Sequence, residues 1–220
     1  VSDQKLVAEL YGIPEERISV IPLGLFNQYP CIDKSVARRY LEIKEYHVIL
    51  FFGLLRPYKG VSNLIHAFEQ LPPERKEDTL LLIAGEVWED HDVVELAKTS
   101  PDREHIRLYS EYLPDDMVPY LFSVADMLVL PYTRASQSGV AHIGISYGMP
   151  IIASKIVGLQ ESLGQYEGTY FVPPQDVPAL SRAIQKLLQE EIKQYGIPPE
   201  LEWGNVLKEW TAILNEVSEK

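Results

Sequence analysis

The stretch Val48-Ile49-Leu50-Phe51-Phe52-Gly53-Leu54-Leu55-Arg56-Pro57-Tyr58-Lys59-Gly60 decides the fold class. An apolar run enters a turn that is bounded by glycines and carries two cations, and a pattern of helical period begins at Val61. The run is continuous rather than alternating, which predicts a strand covered on both faces, followed by a turn and a helix start. That geometry holds phosphate. A dianion there meets the unpaired amides of a helix N-terminus, the positive end of its dipole, and the side chains of Arg56 and Lys59.

Outward from this segment, strand and helix patterns alternate. Strands are expected at 18–21, 47–52, 79–84, 106–109, 126–130, 150–153 and 170–172, and helices at 2–11, 61–71, 93–99, 114–122, 139–147 and 177–190, with a single turn at 160–163. The runs 48–52, 80–84 and 127–130 are apolar at nearly every position, which predicts a parallel sheet between helical layers, a Rossmann-like doubly wound α/β fold. Right-handed crossovers then bring every strand-to-helix loop to one edge of the sheet, where ligands of such folds bind. Residues 1–195 are read as this domain. Gly196-Ile197-Pro198-Pro199 is a linker to a C-terminal helix whose Trp203, Val206, Leu207, Trp210, Ile213, Leu214 and Val217 form an apolar stripe. The stripe packs either on its own domain, the commoner use of such stripes, or on a domain outside this sequence.

With 220 residues, 46% of them hydrophobic, the chain can bury the core of one domain. A net charge of -12 argues against bulk attraction to nucleic acid or to an anionic membrane, so clustered cations become informative. The lone Cys31 excludes an internal disulfide and a thiolate metal set, and suits a reducing, cytoplasmic compartment. Peripheral attachment at the inner face of a membrane stays open. No run reaches transmembrane length and no signal peptide opens the chain. The start at Val1 rather than Met points to an excised fragment, whose missing partner domain would hold half of the active site.

A second loop resembles the first. The run 127–130 ends in Pro131-Tyr132-Thr133-Arg134-Ala135-Ser136-Gln137-Ser138-Gly139, and a helix follows from Val140. Gln137, Ser138 and Gly139 thus form another candidate anion site at a helix N-terminus. Ser136 or Ser138 would also serve as a plain N-cap. Glu161, beside a short helical turn, would pair with its dipole or reach a ligand hydroxyl. His142, one turn into its helix, would face a substrate or be satisfied internally. Gly85-Glu86 closes a strand at the same edge. His66, His91 and His105 have no partners at metal-ligand spacing, and there is no Ser-His-Asp or Cys-His arrangement, Walker loop or G-x-G-x-x-G.

Five segments resemble, in order and spacing, the C-terminal domain of group 1 glycosyltransferases of the GT-B fold. They are Phe51 through Gly60, Leu82-Ile83-Ala84-Gly85-Glu86, Ala125 through Tyr132, Gln137-Ser138-Gly139-Val140 and Tyr147 through Ala153. The resemblance implies a domain that binds a nucleotide-sugar donor, with a separate N-terminal domain for a saccharide or lipid-linked acceptor. It also implies transfer of a hexose-type sugar with retention, no cofactor and no metal. Lys59 matches the family lysine on the donor diphosphate. The arginine position is Leu54 here, so Arg56 would supply that charge, and Arg56 and Lys59 are the catalytic candidates. Gly53 and the amides of Gln137 to Val140 complete the diphosphate site, and Glu111, Tyr112 and Leu113 lie where main chain usually holds the base. The family's paired glutamates fall at Ala135 and Ile143, which leaves Gln137, Ser138 or His142 as substitutes toward donor sugar and ribose. Two other functions stay open. One is a non-catalytic nucleotide-sugar-binding or interaction domain; the other is a nucleotide-sugar epimerase-like isomerase, which would be expected to show carboxylates and a histidine in the cleft.

Overall fold

The computed structural model describes residues 2–218; the side chains of Ser2 and Val217 lie outside the described residues, so Val217's part in the expected stripe is not addressed. The chain opens with α1 (Ser2–Tyr11) and α2 (Lys34–Tyr40). Then β1 (His47–Phe52), α3 (Val61–Glu69), α4 (Pro73–Lys76), β2 (Thr79–Ala84), α5 (Asp92–Thr99) and β3 (Ile106–Tyr109) build one half. The other half comprises α6 (Val118–Val124), β4 (Met127–Leu130), α7 (Gly139–Ser146), β5 (Ile151–Ser154), α8 (Val157–Leu163), β6 (Thr169–Val172) and α9 (Val177–Leu187), and α10 (Trp203–Ser218) closes the chain.

The six strands form one parallel sheet in the order β3-β2-β1-β4-β5-β6. The continuous apolar runs occupy its centre: β2 and β4 are buried at every position, as is β1 from Val48 to Phe51. A strand with no solvent face needs no polar alternation, which is why these runs read as they do. On one side α3 packs against α5 and α9; on the other α2 packs against α6. Right-handed crossovers place α7 and α8 with α6, and Phe122 of α6 meets Tyr147 beyond α7 at 5.4 Å between ring centroids. The doubly wound architecture expected from the sequence is the one observed.

Several local expectations need correction. No strand forms at 18–21; Ile18 to Phe26 runs outside the sheet, tied down by Gln4, whose Nε2 donates to the Ile18 carbonyl at 2.7 Å, by the Leu25 amide, which donates to the Leu201 carbonyl at 3.2 Å, and by Trp203, whose Nε1 donates to the Leu25 carbonyl at 2.7 Å. Its apolar residues suit a strand, but both sheet edges lie elsewhere and Pro22 has no amide to donate. The helix α2 was not expected, because among its residues only Ala37 is buried. It is specified by its cap, the Asp33 carboxylate accepting from the amides of Ser35 (2.9 Å) and Val36 (3.3 Å), and by Tyr40 stacking on Tyr120 at 4.0 Å. The single turn expected at 160–163 is the longer helix α8. Asp126, expected within a strand, precedes β4 and turns its buried carboxylate to the Val48 amide (2.8 Å) and to the Lys34 ammonium.

In α10 the first turn packs on the domain: Val206 is buried and the Trp203 ring lies against Gly24. Farther along, Leu207, Trp210 and Leu214 are 49–59% exposed, so most of the apolar stripe faces outward.

Candidate functional site

The sheet order reverses between β1 and β4, since β2 and β3 extend one way from β1 and β5 and β6 the other way from β4. Such a switch point leaves a crevice at the carboxyl ends of the two strands, because their loops diverge to opposite faces. The two loops read from the sequence as anion sites are the loops after β1 and β4. They are close-packed. Thr133 donates its amide to the Tyr58 carbonyl at 2.8 Å, and a Cβ on Gly60 would lie 2.1 Å from the Pro131 carbonyl oxygen. Gly60 also has φ +67°, a left-handed conformation that glycine adopts without strain. Farther in, a Cβ on Gly53 (φ +118°) would lie 3.5 Å from Val140 Cγ2, so the first loop meets the start of α7 directly.

Arg56 and Lys59, on the loop after β1, are both partly buried, with different neighbours. The Arg56 guanidinium lies 4.8 Å from the Trp88 ring centroid, and its Nε, 3.9 Å from Glu89 Oε1, is in ion-pair range but makes no hydrogen bond. The Lys59 ammonium has no carboxylate within ion-pair distance among the described residues. It lies 3.9 Å from the ring centroid of Tyr132 and 5.4 Å from that of Tyr58. Burial, and secondarily the Arg56 charge, push the Lys59 ammonium down to about 8.

Ser138 is the N-cap of α7, its Oγ accepting from the Ala141 amide at 3.3 Å, so the plain capping role holds for it. Capping takes up the Ala141 amide, and the leading amides at Gly139 and Val140 have no intrahelical acceptor in a first turn. Gln137 is exposed. With His142, Gln160 and Glu161 it lines a cavity of about 360 Å³. A Cβ on Gly158 would clash with the Ala135 and Ser136 carbonyls at 2.1 and 2.4 Å; this close approach brings α8, and so Glu161, against the Gln137 loop. His142 is 2% exposed, and its Nδ1 is buried without a hydrogen-bond partner. Burial holds its imidazole below the usual histidine range, partly opposed by the Gly24 and Leu23 backbone, so it enters the cavity as a neutral ring.

Glu111, Tyr112 and Leu113 follow β3, beside the loop after β2, which donates from Gly85 to Tyr109 (2.9 Å) and from Val87 to Ser110 (3.3 Å). Glu111 and Tyr112 are exposed, and no described contact joins them to Arg56 or Lys59. At the expected glutamate positions Ala135 packs against the core and Ile143 is 6% exposed, so an apolar residue suits each place. Among the described residues no three His, Cys, Asp or Glu side chains are grouped to hold a metal ion. No helix there is long and apolar enough to cross a membrane.

The sequence reading missed Tyr132, Tyr58, Trp88 and Glu89 as partners of the two cations. Their only local signal is aromatic side chains next to a cation or just past a strand end, and residue order alone does not show which aromatic meets which charge.

Residues 33–197 match the family described as glycosyl transferases group 1. The chain belongs to that family. Among curated relatives, the O-antigen chain mannosyltransferase B of Escherichia coli is 27% identical over 191 residues, which cover 84% of this group 1 chain and 49% of the relative. A glycosyltransferase from Rickettsia africae superposes with a TM-score of 0.79 at 17% identity, covering 99% of this chain and 62% of that one. Anabaena HepE, solved in complex with UDP and glucose, superposes with a TM-score of 0.73 at 20% identity, covering 96% and 60%. At these identities the structural likeness carries the fold, and the group 1 chain spans about half the length of the curated relatives it matches.

Proposed function

We propose that this chain is the donor-binding half of a glycosyltransferase that takes a nucleoside-diphosphate hexose and transfers the sugar with retention, without a metal ion. A companion N-terminal domain would bring a saccharide or lipid-linked acceptor across the crevice, in the cytoplasm. The observation that supports this reading is the close packing of the loop after β1, which carries Arg56 and Lys59, on the loop after β4 and the start of α7.

Breaking the sugar-phosphate bond develops positive charge on the sugar and negative charge on the departing diphosphate. Cations and amides that bind the separated diphosphate better than the intact donor lower the barrier. Arg56, Lys59 and the Gly139 and Val140 amides would do this, in the role a divalent cation plays elsewhere. The cavity beside Gln137, His142 and Glu161 would receive the donor sugar, with the neutral His142 ring contributing a hydrogen bond rather than a charge. The base would rest on main chain at Glu111 to Leu113. The name of the E. coli relative makes a mannosyl donor the first to try.

Calorimetric titration with UDP, GDP, ADP and their sugars, with and without EDTA, tests the reading. One nucleoside diphosphate binds with affinity unchanged by EDTA, and Arg56→Ala with Lys59→Ala weakens it by at least about tenfold, the scale of lost charge-assisted hydrogen bonds. Absence of binding to all three sinks the donor reading. The isolated domain is expected to bind donor yet transfer sugar poorly.

A further inference from the structure

We infer that Tyr132 is a positioning residue, whose ring holds the Lys59 ammonium without a counter-ion, so that its charge and its three N–H donors stay free for an incoming diphosphate. The proposal rests on the donor-site reading above and deepens it.

A buried ammonium is usually neutralised by a carboxylate, because an unpaired charge in a low-dielectric site is costly. Arg56 follows that pattern with Glu89. Lys59 does not: an aromatic face at 3.9 Å stands where a carboxylate would be expected. The electrostatic consequence differs. A carboxylate would occupy the ammonium's hydrogen bonds and have to be displaced by phosphate, whereas the negative face of a ring attracts the cation without accepting those bonds. Tyr132 is suited to the task by its own immobility. It is fully buried at the end of β4, beside the close contact of Pro131 with Gly60. The Tyr58 ring stands nearly perpendicular to it, at 78° and 6.5 Å, and has two cations near it, the Lys59 ammonium at 5.4 Å and the Arg134 guanidinium at 5.3 Å, while Arg56 supplies the other charge felt by Lys59. The Tyr132 hydroxyl is buried near Ser138 without a hydrogen bond of good geometry, and burial pushes it above the physiological range. It is therefore a neutral phenol, and the ring is its functional part.

The test replaces Tyr132 with phenylalanine and then with mono-, di- and trifluorophenylalanine, which keep the shape while weakening the negative ring face step by step. Inorganic pyrophosphate at pH 7 is the probe. Tyr132→Phe holds wild-type affinity within about twofold, and three fluorines weaken binding about tenfold in a graded series, the range of a partly desolvated cation–π contact. The same series on a Lys59→Ala background is flat. Independently, the Lys59 ε-methylene protons of the ligand-free wild type resonate upfield through the Tyr132 ring current, an assignment made with Lys59→Arg. Absence of that shift overturns the storage geometry and leaves the diphosphate site standing. A shift with a flat fluorine series overturns the positioning role. A shift with no pyrophosphate binding to wild type removes the donor-site reading, and the role of Tyr132 with it.

Discussion

Diphosphate binding by this domain is expected to weaken as pH rises from 7 to 9, through deprotonation of Lys59. Its ammonium is pushed from 10.5 down to about 8, first by burial and then by Arg56. At about 1.36 kcal/mol per pH unit, holding Lys59 charged where it is partly buried beside Arg56 costs roughly 3 kcal/mol. The sign follows from the direction: the folded value lies below the unfolded one, so the folded chain binds this proton less tightly. The corresponding stability is whole above about pH 10.5 and is lost as pH falls through about 8. A bound diphosphate reverses the preference by favouring the charged form. If only protonated Lys59 is competent, the apparent Kd rises with the fraction of neutral lysine, about tenfold between pH 7 and pH 9. Calorimetry with the nucleoside diphosphate that binds, in two buffers of different ionisation enthalpy, reads both this loss and a proton uptake that grows from pH 7 and is half-developed near pH 8. Lys59→Arg, which stays charged throughout, flattens the profile. An unchanged wild-type Kd across this range, or the same slope in Lys59→Arg, refutes the reasoning.

Three further outcomes follow from individual contacts. Gly60→Ala forces a Cβ to within 2.1 Å of the Pro131 oxygen at φ +67°, so it should lose at least about 2 kcal/mol in urea unfolding and abolish diphosphate binding. Asp126→Ala strands the Val48 amide and Lys34 at the opposite end of the strands; the expected loss is about 2–3 kcal/mol of unfolding free energy in urea, with ligand affinity retained. Glu89→Gln frees Arg56 from an exposed partner, and nucleoside diphosphate titration should show binding tightened by no more than about fivefold.

Much of the fold was legible because burial leaves a direct mark on composition. Strands with no solvent face read as unbroken apolar runs, and β1, β2 and β4 were located from that property alone. Where the mark is absent the reading failed. The helix α2 buries little and depends on the Asp33 cap, while 18–21 has strand-like residues but no edge to pair with. Within the site, Arg56, Lys59 and the Gln137 to Val140 loop were identifiable because strand, glycine turn and helix start are consecutive in the chain.

Residue order thus determined two glycine-bounded loops, each between a buried strand and a helix, and made them the candidates for meeting an anion. Tertiary structure decided that the loops face each other, because the sheet reverses direction between β1 and β4. It also decided that Lys59 rests on Tyr132 and Arg56 on Trp88 and Glu89. Local sequence specifies the elements through short-range sterics and burial pattern, whereas the partner of a charge is set by which distant loops strand order brings within a few ångströms.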